Sequence, residues 1–386
     1  MSRALADRGI LAFADIDWSG TWYSRHQILS RLARVCPVVI VGQPVPVRSV
    51  PTQMFARRAL EPIEGQLWSY RAPAMFPSVY RPDWARRLAL SLQSRHLSAT
   101  ARKLGLDDPI AYVWNPDFAE QVESLDPRTV VYHCYDKYSA YQGADAADVD
   151  ESERRIVKRS ELVIASSRIL ATDLKDRLGV PAVQLPHGVD FDYFDTLASQ
   201  SPEPEDMSAI PRPRIGYIVR VDERFDTETL SAIARERPDW SIVIIGDKSF
   251  QSAESAASFD AFSKLPNVHI LGGRPRQRIP AYTTALDVCL LCYRTDNWGR
   301  WVQPIKAYEY LACGRPVVST RIDAAGDFGD LVRVADGLPD WIDQIEAGLE
   351  ERGEFWSEKR RAFARANTWD KRVEELVRLL ETRLSS

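Results

Sequence analysis

A lysine and a glutamate three residues apart begin a short apolar run, QPIKAYEYLACGRPVVST, at residues 303–320. Pro304 suits the first position of a helix and Gly314 suits its C-terminal cap, so the spacing predicts a short helix with Lys306 and Glu309 on one face. A helix N-terminus has unpaired N–H groups and a positive dipole, so together with Lys306 it can bind a diphosphate. Glu309, one turn further on, can accept hydrogen bonds from two vicinal hydroxyl groups, as a ribose presents them. The alternative is an ion pair on an ordinary surface helix.

A second cluster of ionisable side chains follows an apolar run in the first half of the chain. TVVYHCYDKYSAY, from Thr129, predicts a strand that ends near His133, Asp136 and Tyr138. Ligands of open parallel sheets bind at the carboxyl ends of the strands, so this cluster is expected at a site. Asp136 is the candidate catalytic residue because a carboxylate can take a proton from a hydroxyl group. His133 is either a site residue or a hydrogen-bonded core histidine.

The loop after the first predicted strand, DWSGTWYSRH at residues 17–26, could also contact a ligand. Gly20 lets the backbone approach a ligand closely, and Arg25 and His26 stand where a helix begins and could meet a phosphate or a hydroxyl group. The alternative is aromatic packing with a solvated arginine. His187, in LPHGVD, is expected to line a cleft or hinge near the junction of two domains.

Composition argues against several classes of function. The chain has 386 residues with a formal net charge of −4 and a pI of about 5.9, which disfavours a nucleic-acid partner. The CxxC formed by Cys289 and Cys292 lies in an apolar run without a second pair, so we expect buried thiols and no metal site. The first residues show no signal-peptide pattern and no apolar run approaches the roughly 20 residues of a membrane span, which predicts a cytoplasmic protein.

Short β-rich apolar runs alternate with helical patterns along the chain, which is typical of parallel sheets with crossover helices. The predicted strands are ILAFADI, PVVIVGQP, IAYVWN, TVVYHCY, ELVIAS and AVQLP, and then RIGYIVR, WSIVIIGD, NVHILGG, ALDVCLLCY and RPVVST. Between the two sets, the polar, proline-rich residues 199–214 predict a linker. The predicted fold class is therefore α/β, with two doubly wound units facing a cleft. Neither unit has a G-x-G-x-x-G after its first strand, which disfavours a nicotinamide oxidoreductase.

The run PIKAYEYLACGRPVV resembles the donor-binding motif of GT-B glycosyltransferases, in the P-x-K-x-x-E-Y-L-A-x-G-x-P-V-V form of bacterial family 4 members of the teichuronic-acid-biosynthesis type. Further similar pieces occur in order along nearly the whole chain: WSGTWYSRH, VVYHCYD, SELVIASS, LPHGVDFDYF, RIGYIV, PDWSIVIIGD, NVHILGG and IPAYTTALDVCLL. The resemblance implies an acceptor-binding Rossmann-like domain at residues 1–200 and a nucleotide-sugar-binding Rossmann-like domain at residues 201–366. A C-terminal helix at residues 367–386 would cross back to the first domain.

The resemblance also implies roles for single residues. Lys306 would contact the diphosphate and Glu309 the ribose, while the turn Gly272-Gly273-Arg274 would approach the base through its backbone. Arg220 would be a second phosphate contact, with a solvated loop cation as the alternative. The commoner family pattern has another Glu eight positions before Glu309, where this chain has Trp301.

The implied function is a glycosyltransferase that moves a sugar from a nucleotide diphosphate donor, UDP-linked in our expectation, to a glycan or polyprenyl-linked acceptor in bacterial polysaccharide or glycoconjugate synthesis. Retention at the anomeric carbon is expected, with no cofactor and no metal. The alternatives are an inverting transferase with Asp136 as base, a nucleotide-sugar-binding protein without turnover, and a nucleotide-sugar epimerase. A cationic amphipathic segment, RPDWARRLALSLQSRHLSATARKLG from Arg81, could lie on the inner membrane surface or be a plain solvated helix face.

Overall fold

The computed structural model describes residues 3–18, 22–44, 59–78, 81–141, 143–296 and 299–384. The chain forms two compact units. One consists of Met1–Pro186 together with Asp370–Ser386, and the other of His187–Trp369.

The described part of the first unit is built on an eight-stranded sheet. Its strands are β1 (Ile10–Phe13), β2 (Val38–Val41), β3 (Leu60–Glu64), β4 (Leu67–Tyr70), β5 (Ile110–Val113), β6 (Val130–Cys134), β7 (Leu162–Ala165) and β8 (Val183–Gln184). They lie in the order β3-β4-β2-β1-β5-β6-β7-β8, and only β3 and β4 pair antiparallel. Its helices before residue 187 are α1 (Arg3–Arg8), α2 (Ser24–Leu32), α3 (Asp83–Lys103), α4 (Ala119–Leu125), α5 (Ala146–Arg159) and α6 (Arg168–Leu178).

The strands predicted for this unit are all present, because each is a short apolar run that parallel sheets bury on both faces. Every residue of β1, β2, β5, β6 and β7 is buried. The β3–β4 pair at the sheet edge was not predicted. LEPIE, the sequence of β3, is mostly exposed and has no apolar run to mark it as a strand.

The described part of the second unit has a six-stranded, all-parallel sheet. Its strands are β9 (Arg214–Ile218), β10 (Ser241–Ile245), β11 (Val268–Ile270), β12 (Val288–Leu291), β13 (Val317–Thr320) and β14 (Val332–Ala335), in the order β11-β10-β9-β12-β13-β14. Its helices are α7 (Phe191–Gln200), α8 (Glu205–Ser208), α9 (Thr227–Glu236), α10 (Ala253–Phe262), α11 (Ile279–Thr284), α12 (Ile305–Ala312), α13 (Leu338–Glu350) and α14 (Glu354–Ala366). The predicted strands are again present, and β14 is an additional one.

The prediction of a linker at residues 199–214 is wrong, because this segment is packed into the second unit. Met207 of α8 is fully buried, and the Arg214 guanidinium donates to Glu203 Oε1 (2.7 Å) and to the Ile210 carbonyl oxygen (2.8 Å). Phe191 and Phe194 of the preceding α7 belong to the same core. The second unit therefore begins at His187, ahead of the expected boundary at residue 200.

The last helix, α15 (Trp369–Leu384), lies in the first unit from Asp370 onward. Its Asp370 Oδ2 is 3.0 Å from Arg31 Nε of α2. Val373, Leu376 and Leu380 are buried, as an apolar stripe at helical spacing requires. Within the described chain, no helix is both long and apolar enough to cross a membrane.

Candidate functional site

Helix α12 carries the Lys306–Glu309 pair and is anchored to the end of the neighbouring strand β9. Strand β12 pairs with β9 only as far as Gly216, so Ile218 has no ladder partner on that side. The Tyr310 hydroxyl replaces the missing strand: it accepts from Ile218 N (2.9 Å) and donates to Ile218 O (3.1 Å). Tyr310 is fully buried, so these bonds satisfy backbone groups that water cannot reach. The start of α12 is thereby held near the carboxyl edge of the sheet, where α/β proteins bind ligands.

Lys306 and Glu309 lie on one face of α12, as their spacing predicts. Lys306 Nζ is 2.6 Å from Glu309 Oε2, and the two side chains are 32% and 16% exposed. The helix begins after Pro304, so the N–H groups of Ile305 and Lys306 have no preceding helical turn to bond to, whereas Ala307 N donates to Pro304 O (3.1 Å). A cation, a carboxylate and unpaired N–H groups therefore stand together at one helix end.

The turn at Gly272, Gly273 and Arg274 packs closely against Asp247. Gly272 has a φ of 72°, which favours glycine, and a Cβ on Gly273 would stand 2.2 Å from Asp247 Oδ2, so a side chain there would displace the Asp247 carboxylate. Gly273 N donates to Asp247 Oδ1 (3.0 Å). The Arg274 guanidinium donates to Asp206 Oδ2 (2.6 Å) and to the Tyr282 hydroxyl (2.7 Å), and these hydrogen bonds raise the pKa of Arg274. Arg274 thus holds α8 and α11 together.

Arg220 lies in the loop after β9, at the same edge of the sheet. It is exposed, and its guanidinium donates to Ser249 Oγ (2.7 Å). Trp301 forms the end of a short 3-10 helix just before α12, with the Arg300 guanidinium 5.0 Å from its ring centroid. Both side-chain amide atoms of the nearby Gln303 are buried and have no hydrogen-bond partner among the described residues.

The sequence analysis did not predict a role for Arg276. The Arg276 guanidinium lies 4.4 Å from the ring centroid of Tyr193, and its Nη2 is 3.4 Å from Asp190 Oδ2. Burial raises the pKa of Tyr193, Arg276 opposes this, and the charges of Asp190 and Glu309 reinforce it. Tyr193 belongs to α7, and α7 packs against α12, which carries Glu309. The motifs RPRQR and FDYF contain these residues, but nothing in their spacing along the chain indicates that they meet.

In the first unit, the loop after β6 carries Asp136. Asp136 Oδ2 accepts from the Tyr141 hydroxyl (2.6 Å) and Oδ1 accepts from Lys137 N (2.9 Å). Lys137 Nζ is bound in turn by Asp173 (2.9 Å), and the Tyr138 hydroxyl donates to Trp114 O (3.0 Å). These bonds hold a half-buried carboxylate at the carboxyl edge of the sheet.

Arg25, at the start of α2, lies against the same loop after β6. Its guanidinium lies 4.7 Å from the ring centroid of Tyr135, and its Nε is buried without a hydrogen-bond partner in the part of the chain that is described. Burial raises the pKa of Tyr135, with Arg25 opposing this and Asp136 adding to it. The structure therefore places Arg25 against Tyr135, the residue next to Asp136, although Arg25 and Tyr135 are far apart in the sequence.

The three candidate histidines are all buried and contact other residues of the protein. His26 is buried, its Nδ1 accepts from Tyr23 N (3.0 Å), and its Nε2 is 3.1 Å from Asp17 O, which ties the loop to α2. Burial chiefly lowers the pKa of His26, so the ring is neutral. His133 is the core histidine that the alternative described, with Nδ1 2.7 Å from the Tyr112 hydroxyl and its ring stacked on Trp114.

His187 is also buried, against Trp369 with 5.7 Å between the ring centroids. The adjacent Gly188 packs closely against the backbone of Thr368, because a Cβ on Gly188 would stand 2.8 Å from that backbone. The remaining candidate, Gly20, lies outside the described residues.

The described residues contain no group of three or more His, Cys, Asp or Glu side chains arranged to hold a metal ion. All five cysteines are free and buried. Burial raises the pKa of Cys289 to about 12, so its thiol is protonated at neutral pH.

Comparisons with known proteins match both units. The family model described as glycosyl transferases group 1 matches residues 212–351. A Bacillus subtilis (strain 168) protein named as a teichuronic acid biosynthesis glycosyltransferase, TuaH, is 24% identical over 258 residues, 62% of this chain and 64% of its own length. The chain thus spans slightly less than two thirds of that relative.

Solved structures match over almost the whole chain. Sucrose-phosphate synthase from Thermosynechococcus elongatus has a TM-score of 0.69 and 16% identity, covering 99% of this chain and 96% of its own. An α,α-trehalose-phosphate synthase (UDP-forming) from Burkholderia vietnamiensis has a TM-score of 0.71 and 13% identity, covering 98% and 99%. The resemblance predicted from the motifs is confirmed, and the two doubly wound units are those of the GT-B fold.

Proposed function

We propose that this chain, with its GT-B fold and a second unit that matches glycosyl transferases of group 1, is a glycosyltransferase. It would transfer a sugar from a nucleotide diphosphate to a glycan or lipid-linked acceptor in the synthesis of a bacterial polysaccharide or glycoconjugate. The observation that carries the proposal is the Lys306–Glu309 pair on the N-terminal turns of α12, inside the matched residues 212–351.

The donor would bind the second unit through complementary charge. Lys306 and the N–H groups of the first two residues of α12 would face the diphosphate, and Glu309 would accept hydrogen bonds from the ribose hydroxyls. Binding exchanges the Lys306–Glu309 ion pair for two contacts with the ligand, so neither charge is left buried alone. We add Arg276 as a second cation for the donor, because it lies against Tyr193 of α7, and α7 packs against α12.

UDP is the nucleotide we favour. The Burkholderia vietnamiensis neighbour is named as UDP-forming, and an Anabaena neighbour, HepE, was solved with UDP and glucose. We also propose that no metal or cofactor takes part in the reaction. Lys306, Arg276 and the dipole of α12 would then balance the charge of the diphosphate. Turnover that is unchanged in EDTA supports this, and turnover restored only by a divalent cation contradicts it.

The acceptor would bind the first unit, near Asp136 and Arg25. In an inverting reaction Asp136 takes the proton of the acceptor hydroxyl. In a retaining reaction, which we favour from the resemblance, Asp136 orients that hydroxyl while the diphosphate leaves. The hydrogen bonds from Tyr141 and Lys137 N stabilise the charged carboxylate in either role.

The first test measures UDP and uridine affinities for the full-length protein by calorimetry. Glu309→Gln should weaken both ligands by about 1.5–3 kcal/mol, the range for hydrogen bonds to a charged group, because both contain the ribose. Lys306→Ala should weaken UDP much more than uridine. Glu354→Gln, at the exposed start of α14, is the control and should change neither affinity. Unchanged UDP binding in Glu309→Gln would contradict the proposed donor site.

A second candidate is a nucleotide-sugar-binding protein without turnover. Trp301, at the position of a common family glutamate, is the observation that favours it. Release of UDP from a UDP-sugar, dependent on an added acceptor, excludes this candidate. Tight UDP binding without any turnover over a panel of sugars and acceptors supports it.

A further inference from the structure

Arg25, the second residue of α2, is a cation without a counter-charge in the described part of the chain. Its guanidinium neither donates a hydrogen bond to a described residue nor stands within ion-pair distance of a described carboxylate. Other arginines of the first unit that are largely withdrawn from water are paired: Arg31 Nε is 3.0 Å from Asp370 Oδ2, and Arg177 Nη2 is 3.1 Å from Asp173 Oδ2. The chain has 54 acidic residues against 50 lysines and arginines, so the lack of a partner does not reflect a shortage of acids.

The Arg25 guanidinium is only partly exposed to water. It lies 4.7 Å from the ring centroid of Tyr135, and its Nε is buried without an acceptor among the described residues. The two Nη atoms are not buried in this way, so they are the part of the group that a ligand can reach. A cation that loses water without gaining an anion is unfavourable, and the face of an aromatic ring compensates for this only in part. The site therefore favours a negatively charged ligand.

Arg25 lies against the loop that carries the candidate catalytic carboxylate. Tyr135 follows the last residue of β6 and directly precedes Asp136. The ring centroids of Tyr135 and Tyr138 are 5.5 Å apart, and those of Tyr138 and Tyr141 are 5.4 Å apart. The Tyr141 hydroxyl donates to Asp136 Oδ2 (2.6 Å). Three tyrosine rings thus connect the cation to the carboxylate by direct contacts, at the edge of the sheet where ligands bind.

The cation of the loop itself is already neutralised. Lys137 Nζ is 2.9 Å from Asp173 Oδ2 and 3.6 Å from Asp150 Oδ1, and the Lys137 side chain is 12% exposed. Of these two cations, Arg25 is therefore the one whose charge a ligand can balance. A planar guanidinium can donate two parallel hydrogen bonds to a carboxylate or a phosphate, a geometry that a single neutral hydroxyl group does not match.

We propose that Arg25 binds an oxyanion of the acceptor, so that the enzyme selects acceptors that carry a carboxylate or a phosphate group. The oxyanion would supply the acceptor atoms that the guanidinium lacks, and it would fix the position of the acceptor relative to Asp136. A neutral sugar would leave the cation unpaired and should bind more weakly. The inference rests on the proposed function, since it names the chemical class of the acceptor for the same site.

The test uses full-length protein and saturation-transfer NMR titrations of three probes: methyl glucuronide, glucose 1-phosphate and the neutral methyl glucoside. Saturating UDP occupies the proposed donor site, so that an anionic probe cannot bind there. At least one anionic probe should bind about tenfold more tightly than methyl glucoside, as expected for hydrogen bonds between charged groups, and the tighter one identifies the oxyanion as a carboxylate or a phosphate. Anionic probes that bind no more tightly than methyl glucoside overturn the inference.

Calorimetry of UDP binding on the same sample separates the two proposals. Retained UDP binding without a preference for an anionic probe rejects this inference alone. Absent UDP binding rejects the proposed function.

Variants then assign the preference to Arg25. Arg25→Gln should weaken the preferred anionic probe by about tenfold or more and leave methyl glucoside unchanged, because it removes the charge. Arg25→Lys keeps the charge without the planar fork and should lose part of the preference, and it carries the test if Arg25→Gln does not fold. The control Arg128→Gln, at an exposed arginine before β6 and hence at the opposite edge of the sheet, should behave as wild type. A wild-type preference in the folded Arg25 variants overturns the assignment.

Discussion

The charged residues around α12 are arranged as pairs of opposite sign. Lys306 is paired with Glu309, Arg276 with Asp190 and Arg274 with Asp206. Arg274 is held by Asp206 and by Tyr282, whereas Arg276 contacts Asp190 at 3.4 Å and lies on the face of Tyr193. We predict that Arg276 is the one of these two arginines that contacts a bound phosphate.

Arg276→Ala should weaken UDP binding by about 1.5–3 kcal/mol and uridine binding by much less, because the lost group is a charged phosphate contact. Calorimetric titration of the two ligands measures the difference. Arg278→Ala, at an exposed arginine of the same short 3-10 helix, is the matched control and should behave as wild type. Equal losses of UDP and uridine affinity would place Arg276 away from the phosphates.

Asp136→Asn keeps the shape of the side chain and removes its charge. If Asp136 is the base, the initial rate of UDP release should fall by about 100-fold or more, with UDP affinity near wild type, because Asp136 is in the other unit. Asp148→Asn, an exposed acid in the first turn of α5, controls for surface charge. Near-normal turnover in Asp136→Asn would exclude a catalytic role.

Among the elements, α3 presents an unusual surface. Trp84 and Leu88, one helical turn apart, are 70% and 53% exposed, and Met75 before the helix is 70% exposed. Arg87 and Arg95 are exposed on the same helix, whereas the whole chain is acidic with a net charge of −4. An apolar and basic face of this kind fits an anionic membrane surface, the expected location of a polyprenyl-linked acceptor.

The double variant Trp84→Ala, Leu88→Ala should reduce binding to vesicles of 30% phosphatidylglycerol by about tenfold or more, since each large side chain contributes roughly 1.5–3 kcal/mol on burial. Vesicle co-sedimentation at low salt measures this, with pure phosphatidylcholine vesicles expected to bind weakly. Phe355→Ala, an equally exposed aromatic of α14, is the control. Wild-type protein that does not bind the anionic vesicles would make α3 a plain solvated helix.

At the scale of the molecule, the final helix α15 belongs to the same unit as the N-terminal half of the chain. Residues Asp370–Ser386 belong to the first unit, although the second unit lies between them and the rest of it. The chain leaves and re-enters the second unit side by side, where Val189 N donates to Asn367 O (3.1 Å) and Trp369 N donates to Val189 O (3.1 Å). The first unit is therefore incomplete without this helix.

Leu376→Ala should lower the free energy of unfolding of the first unit by about 2–5 kcal/mol, because it leaves a cavity at a fully buried position of α15. UDP affinity should stay unchanged, since the proposed donor contacts all lie in the second unit. Urea unfolding with and without saturating UDP separates the two effects. Leu379→Ala, at a half-buried position of the same helix, should cost less. Weakened UDP binding without lost stability would contradict this assignment of α15.

The sequence alone determined what depends on local spacing. Apolar runs of strand length predicted the buried strands, a three-residue interval placed Lys306 and Glu309 on one face of a helix, and motifs in order predicted the GT-B fold. It could not identify β3, whose exposed residues lack an apolar pattern, or recognise that the proline-rich residues 199–214 pack into a core. Tertiary structure decided which distant residues meet: Arg276 with Tyr193, Arg25 with Tyr135, and Gln93 with Gln121 at one pocket. The reason is physical, because a side chain's charge partners and hydrogen-bond partners depend on which strand ends the sheet order brings together, and chain spacing does not encode that order.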